Sequence, residues 1–439
     1  MSNKISKILA YSFILLLGMV ALLTLSILGV EVAGRNIPQM DLIMDYITAL
    51  AWAIVLEISI LFWPVPTQHK HFLLMIWLAK IFMTLGVMLF YEYNYVLDAY
   101  YYFYSSKMGE FAWQDFQFGA GTINVVNLVR LHQYFIADSY HTLKVTTAMI
   151  GMVSIYIFYR AAIIFLKNDD FRILYAIALY PSILFWSSIL GKDPIMLLGI
   201  ALYVYGVVGW QLSSGKWQYL YLLWGTLGVW IASFMRLWYA PILLAPLAVF
   251  FIIGAKNFFA KILLVGIVAS AFLVSFSMFA ERFSIETGQD LVLTTDKISS
   301  SWTHGGSAQE IKGGLSSMGD MLAFIPIGSF TALFRPLPGE VLNPFGLLAG
   351  IEDIILLSLL AVAIKRTRWA ELKEPLILWA IITIMAWATM YGFASYQNLG
   401  SAVRYRLQIL PILLGVLFYL SRHRQFMPSK KVSVNNKRV

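Results

Sequence analysis

A chain of 439 residues that is 60% hydrophobic, only 13% charged and free of cysteine, with a mean hydropathy of +0.74, lies outside the composition of a soluble globular domain. Its net charge of +9 is spread over short segments between apolar runs with no domain behind them, which excludes nucleic acid as a partner. Without cysteine there is neither a disulfide nor thiolate chemistry.

About 20 apolar residues cross a bilayer, and about twelve runs approach that length. They lie near 8–30, 41–63, 72–91, 143–166, 171–189, 195–210, 217–234, 237–255, 262–279, 345–364, 375–394 and 407–421. The expected fold class is all-α: a polytopic transmembrane helix bundle forming one domain over 1–421, with a basic tail at 422–439. Lys4 and Lys7 precede the first run, and Arg422, Arg424, Lys430, Lys431, Lys437 and Arg438 follow the last. Basic flanks stay on the cytoplasmic side, so both ends are expected inside and the number of crossings even. The first run is too long for a signal peptide and lacks a small-residue cleavage site, so an uncleaved helix is expected. Lys70, Lys167 with Arg172, Lys216, Lys256 with Lys261, and Lys365, Arg366 and Arg368 fall in short inner loops as topology anchors. The inner side thereby carries the positive excess and the outer side a negative one.

Two ionisable residues, Glu57 in the second span and Lys80 in the third, fall at membrane depth, where a charge is costly unless it is paired or functional. Measured from the inner ends of adjacent antiparallel helices they reach similar depth, which predicts an ion pair, with a proton relay as the sharper alternative.

Segment 92–142, the first long outer loop, opens with Glu92, Asp98 and a dense set of tyrosines that includes Tyr100 and Tyr101. Aromatic residues at a membrane exit serve as an interfacial belt. Flat rings beside carboxylates also suit sugars, whose C–H faces stack while their hydroxyls are hydrogen-bonded. Asp98, a carboxylate among rings, stands out as a group with a perturbed environment.

Residues 180–194 join the fifth and sixth spans without leaving the membrane surface. Pro194 suits the first turn of the next helix, and Asp193 either caps that helix or binds substrate. Lys192 has no capping role and is a good phosphate clamp. Arg236 stands alone between the seventh and eighth spans. The second long outer loop, 280–344, begins with a Ser/Thr/Gly-rich stretch from Glu281 to Asp320 that contains Trp302, and it reads either as a lid over a site or as a plain linker. Met321 to Phe334 is apolar but short, which suits a re-entrant or interfacial helix. Arg335 follows it, and Arg404 and Arg406 precede the last span. The positive-inside bias disfavours these outer cations. Arginine binds phosphate oxygens bidentately, and a lipid diphosphate headgroup would use such a cluster; pairing with Glu340, Glu352, Asp353 or lipid headgroups is the structural alternative.

Six histidines are scattered at 69, 71, 132, 141, 304 and 423 without a helical pair beside a carboxylate, so no zinc site and no cofactor are expected; a divalent cation on carboxylates stays open.

Three stretches, Pro181 to Asp193, Phe334 to Pro338 and Asn398 to Arg406, together with an aromatic and acidic outer loop, resemble the multi-pass proteins of bacterial surface-polysaccharide assembly. That group includes repeat-unit polymerases and GT-C glycosyltransferases. GT-C enzymes usually place their key acid in the first outer loop, whereas Asp98 follows the third span, which favours a polymerase. The resemblance implies a protein of the bacterial cytoplasmic membrane, with a polyprenyl-linked glycan, membrane lipids and other polysaccharide-assembly proteins as partners. Glycosyl transfer from a polyprenyl diphosphate needs cations on the leaving group and a base on the acceptor. Lys192, Arg236, Arg335, Arg404 and Arg406 are the candidates for the first role, with Asp193 beside them. Asp98 is the candidate base, with Glu281 or Glu340 behind it, and Tyr100, Tyr101 and Trp302 are the stacking platforms. A transporter and a non-catalytic assembly protein are the other classes the pattern allows.

Overall fold

The structure, a computed structural model, describes residues 29–30, 32–250, 258–300, 303, 307–309 and 315–422. The expected first span, Trp302 and nearly all of the basic tail therefore lie outside the described residues. Those described are helical, with no strand among them and a single isolated bridge between Ala308 and Asn398.

In chain order the helices are α1 (Leu42–Ile60), α2 (Thr67–Asn94, passing through a π-turn at Met83–Val87), α3 (Asp98–Ser106), α4 (Gly121–Phe135) and α5 (Tyr140–Leu166). Then come α6 (Phe171–Ala178), α7 (Pro181–Trp186), α8 (Lys192–Leu212), α9 (Lys216–Met235), α10 (Tyr239–Leu244) and α11 (Phe258–Arg282). The last group is α12 (Gly288–Ser300), α13 (Met318–Phe334), α14 (Pro344–Arg366), α15 (Pro375–Ser395), α16 (Leu399–Arg406) and α17 (Leu410–Ser421).

Among the described residues, six helices are long and apolar enough to cross a membrane: α1, α2, α5, α8, α14 and α15. A seventh crossing exists if α16 and α17, bent by 71° at their junction, count as one span. This is fewer than the expected twelve, in part because residues 1–28 and 251–257 lie outside the described residues. Pro181 lacks the N–H that would continue α6, so the run at 171–189 breaks into α6 and α7. Of the run at 237–255 the described part is an apolar helical stretch over Tyr239–Phe250. Tyrosine, tryptophan and glutamine in the first half of α9 dilute its apolar character. The two segments expected as long outer loops carry helices among their described residues: 92–142 holds α3 and α4, and 280–320 holds α12. At 17 residues α13 matches the short apolar helix expected there, with Pro326 inside it.

Packing distinguishes centre from periphery. Two-thirds of the apolar window of α8 is buried, against one-third for α14, which exposes Ile351, Ile354, Ile355 and Ile364 as a lipid-facing stripe. The α8–α9 hairpin closes through small residues: a Cβ on Gly206 would overlap the Gly225 backbone. Helices in lipid have no hydrophobic drive to associate, so such backbone approach supplies the van der Waals contact instead.

The ion pairs respect two ends of the bundle. His69–Asp169, Arg172–Asp170 and Arg422–Glu371 join segments at the basic end. Lys144–Glu92, Arg335–Glu340, Arg404–Asp98, Arg404–Asp193 and Arg406–Asp353 all lie at the other. Glu57 and Lys80 do not pair. Lys80 turns to α7, donating to Ser187 O (3.1 Å), Ser187 Oγ (2.7 Å) and Ser188 Oγ (3.0 Å), three acceptors for three ammonium protons. Glu57 is buried, and its Oε1 makes no hydrogen bond within the protein.

Candidate functional site

The site is assembled by helix starts. Pro181 opens α7 at its first turn, and α8 begins at Lys192 directly after Gly191. Asn343 caps α14 by accepting from Gly346 N at 2.7 Å, and Asn398 caps α16 by accepting from Ser401 N at 3.0 Å. All four starts gather at the end of the bundle opposite the basic loops. Between the starts of α7, α14 and α16 lies a cavity of about 380 Å³. Residues of all three motif stretches line it: Pro181 and Trp186 from the first, Pro336 from the second, Asn398 and Arg404 from the third. Met83 and Val87, the two ends of the π-turn in α2, form part of its apolar wall. Such turns recur where a helix is shaped for function.

Arg404 is the centre of the charged edge of this cavity. Its Nε donates to Asp193 Oδ2 at 2.8 Å and its Nη1 to Asp98 Oδ2 at 3.0 Å. The Asp193 side chain is fully buried and that of Asp98 is 55% exposed, so one carboxylate anchors the guanidinium and the other faces outward. Asp193 therefore serves Arg404 and does not act as a side-chain cap for α8, whose N-cap is Gly191. Trp186 lies 5.7 Å from the guanidinium carbon. Lys192 belongs to the same cluster, within the fields of Arg236, Asp98, Arg404 and Asp193, and its Nζ donates to Thr122 Oγ1 at 2.8 Å. Arg236 is buried below, bonded to Tyr391 OH at 2.9 Å and set 4.3 Å from the Tyr405 ring. Asp98, Asp193 and Arg404 thus meet in direct contact, and Lys192 and Arg236 lie within their electrostatic reach.

The remaining candidates are placed elsewhere. Arg335 makes a bidentate pair with Glu340 (Nε to both oxygens at 3.0 Å, Nη2 to Oε1 at 2.7 Å), and Pro336 and Val341 beside them reach the cavity rim. Burial pushes the Glu340 carboxyl up, but hydrogen bonds from Arg335 and from Leu337 N outweigh it and hold it below the ordinary carboxylate range. Arg406 is fully buried, 2.5 Å from Asp353, and donates to Leu333 O, so it faces the core. Tyr100 donates to Glu92 O at 3.0 Å. Tyr101 is exposed on α3, and Glu281 is exposed near the end of α11.

Several residues have partners that the sequence did not assign. Glu352, two turns into α14, faces the 380 Å³ cavity and accepts from both Ser182 N (2.7 Å) and Ser182 Oγ. A carboxylate at membrane depth was the available signal. Tyr102 is buried against the cluster, where burial and then the charge of Asp98 push its phenol well up, so it stays protonated. Glu92 and Lys144 pair at 2.7 Å beneath α3, with Tyr140 OH on the other Glu92 oxygen at 2.7 Å. Among the described residues no group of three or more His, Cys, Asp or Glu side chains is gathered as a metal would require. Asp98 and Asp193 are each engaged by Arg404.

No protein-family model matches the chain, and neither a curated protein nor a solved structure matches it.

Proposed function

We propose that the protein transfers a glycan from a polyprenyl diphosphate to an acceptor hydroxyl at the outer face of a bacterial cytoplasmic membrane, as a repeat-unit polymerase of surface-polysaccharide synthesis does. The observation that carries this reading is the contact of Arg404 with Asp98 and Asp193, with Lys192 and Arg236 within their electrostatic reach, at the edge of a cavity walled mostly by apolar residues and by the Glu352 carboxylate. A diphosphate on an isoprenoid chain asks for that combination: cations for the leaving group and an apolar wall for the first isoprene units.

In this reading the acceptor hydroxyl oxygen attacks the anomeric carbon and the bond from that carbon to the diphosphate oxygen breaks. The electron pair stays on the diphosphate, held by Lys192 and Arg404, and the hydroxyl proton passes to Asp98. Both chain ends lie in the cytoplasm. About twelve passes result when α9, α11, the broken pairs α6–α7 and α16–α17, the stretch begun by α10 and the N-terminal apolar run join the six long helices. Arg335 and Glu340 shape the rim, and other polysaccharide-assembly proteins are the natural neighbours.

The first test removes the gene and profiles polyprenyl-linked glycans in extracted membranes. Accumulated single repeat units support a polymerase. A stalled intermediate lacking one sugar moves the assignment to a GT-C transferase using a polyprenyl-phosphate monosaccharide. An unchanged lipid pool sinks both enzyme readings. A second reading, transport of a lipid-linked glycan, is favoured by the 71° break between α16 and α17, since transporters bind substrate at interrupted helices. It predicts intact lipid-linked units trapped on the inner leaflet.

A further inference from the structure

The charged cluster borders a second cavity that the donor does not need. Lys192 is bonded to Thr122, and Thr122 lies at one end of a polar cavity of about 260 Å³ between α3 and α4. On α3, Asp98, Tyr101 and Ser105 fall at i, i+3 and i+7, one stripe of the helix. The head of that stripe bonds Arg404, while Tyr101 and Ser105 line the second cavity. On α4, Ile123, Val126, Asn127 and Arg130 repeat the same spacing across from it. Arg130 is held by Asp115 and by the carbonyl of Ser106, so the far wall is fixed. The two cavities differ in chemistry. The one that Arg404 lines is walled mostly by apolar residues such as Met83, Val87, Phe345 and Leu348, with Glu352 and Asn343 among them; the one reached by Lys192 is walled mostly by polar ones, Ser105, Asp115, Asn127 and Arg130, with Ile123 and Val126.

We infer that the cavity between α3 and α4 is the acceptor-glycan site, with the lipid-linked donor in the Arg404 cavity and Asp98 between the two. This rests on the glycosyl-transfer reading. A sugar chain carries hydroxyls for Asp115, Arg130 and Ser105, and a C–H face for the exposed Tyr101 ring. The end of the chain that offers the hydroxyl lies sugars away from any isoprenoid, so the cavity lined mostly by polar side chains suits it. The transfer step then runs across the cluster: the acceptor hydroxyl gives its proton to Asp98 and its oxygen to the anomeric carbon, and the diphosphate leaves with the bonding pair toward Arg404.

The test uses the full-length chain in lipid nanodiscs and two probes: undecaprenyl diphosphate, and the soluble oligosaccharide released by mild acid from the host's lipid-linked pool. Tyr101→Ala and Ser105→Trp should weaken oligosaccharide binding, read by saturation-transfer NMR, by about tenfold or more, the loss of a stacking face or of one or two hydrogen bonds. Both variants should leave undecaprenyl diphosphate binding unchanged, and Ala349→Trp, which fills the other cavity, should give the reverse pattern. Tyr101→Ala only truncates an exposed side chain, so it reports even if Ser105→Trp misfolds. Oligosaccharide binding that ignores Tyr101→Ala, or falls equally with Ala349→Trp, overturns the inference. Wild-type chain that binds undecaprenyl diphosphate but no oligosaccharide overturns it alone. Failure to bind undecaprenyl diphosphate overturns the functional reading with it.

Discussion

Arg404 and Asp193, 211 positions apart in the chain, close to 2.8 Å between Nε and Oδ2, and this contact ties the start of α8 to the end of α16. Because the Asp193 side chain is fully buried, the guanidinium is satisfied on one side by a group that water does not reach. Removing one partner of a buried pair leaves an uncompensated charge, which costs ~3–5 kcal/mol. Asp193→Ala should therefore lower the unfolding midpoint of the solubilised chain as well as its activity. Asp98→Asn, at an exposed carboxylate, should keep the midpoint and lose ~10²–10⁴-fold in glycan transfer, the span of general-base catalysis. A midpoint that falls equally in both variants would make Asp98 a structural residue.

Lys80 bonds to Ser187 and Ser188 and makes no pair with Glu57. A double-mutant cycle of Glu57→Gln and Lys80→Met should be additive within ~0.5 kcal/mol, because the two share no partner. Ser187→Ala combined with Lys80→Met should be non-additive, since Lys80 donates to that hydroxyl at 2.7 Å. Coupling between Glu57 and Lys80 in thermal unfolding would restore the ion pair.

Two groups outside the spanning helices make acid pH destabilising, in separate windows. Burial lowers the His132 imidazole from 6.5 to about 4, while Thr146 Oγ1 holds its Nε2 at 2.7 Å. Between those values the unfolded chain takes up a proton that the folded chain refuses, so stability is full above 6.5 and falls as pH drops toward about 4. Glu340 is depressed below its usual 4.5, so its contribution is present above 4.5 and is lost only as pH falls through its lower folded value. His132→Gln should flatten the upper part of the pH–stability curve and Glu340→Gln the lower part, as followed by thermal unfolding from pH 7 downward. A His132→Gln curve that keeps the wild-type slope above pH 5 would refute the assignment.

Close backbone approach makes some glycines irreplaceable and leaves others free. Gly206→Val drives a branched side chain into the Gly225 backbone and should cost ~1–3 kcal/mol or more by overpacking. Gly415→Val in α17 meets open space within 4 Å and should change the unfolding midpoint little. Equal loss of folded yield in both would place the α8–α9 contact elsewhere.

Lys192 and Arg404 were legible because the positive-inside bias gives no reason to keep a cation at the outer boundary, so each demanded another explanation. Arg406 raised the same demand and met a different answer. Residues 398–406 read as a connector, but they form α16. Two residues apart on a helix is about 200° around its axis, which turns Arg404 to the cavity and Arg406 to Asp353. The spans were legible as apolar runs but not as helices, because proline decides where a run breaks: Pro181 splits the run at 171–189 into α6 and α7. Glu352 was legible only as a pairing partner for an outer arginine, because residue type alone does not tell such a carboxylate from one that accepts from Ser182 at a cavity wall.

The bend after Arg406 sets how far below the surface the chemistry sits. Helix α17 has 12 residues and reaches about 18 Å, roughly 12 Å less than the hydrocarbon thickness it would need to cross. With Ser421 placed at one boundary, the base of α16 and its arginines would lie beneath the opposite one. On the glycosyl-transfer reading, a lipid would then keep its tail in the leaflet while its headgroup rests level with Arg404, and no step would have to lift an isoprenoid into water.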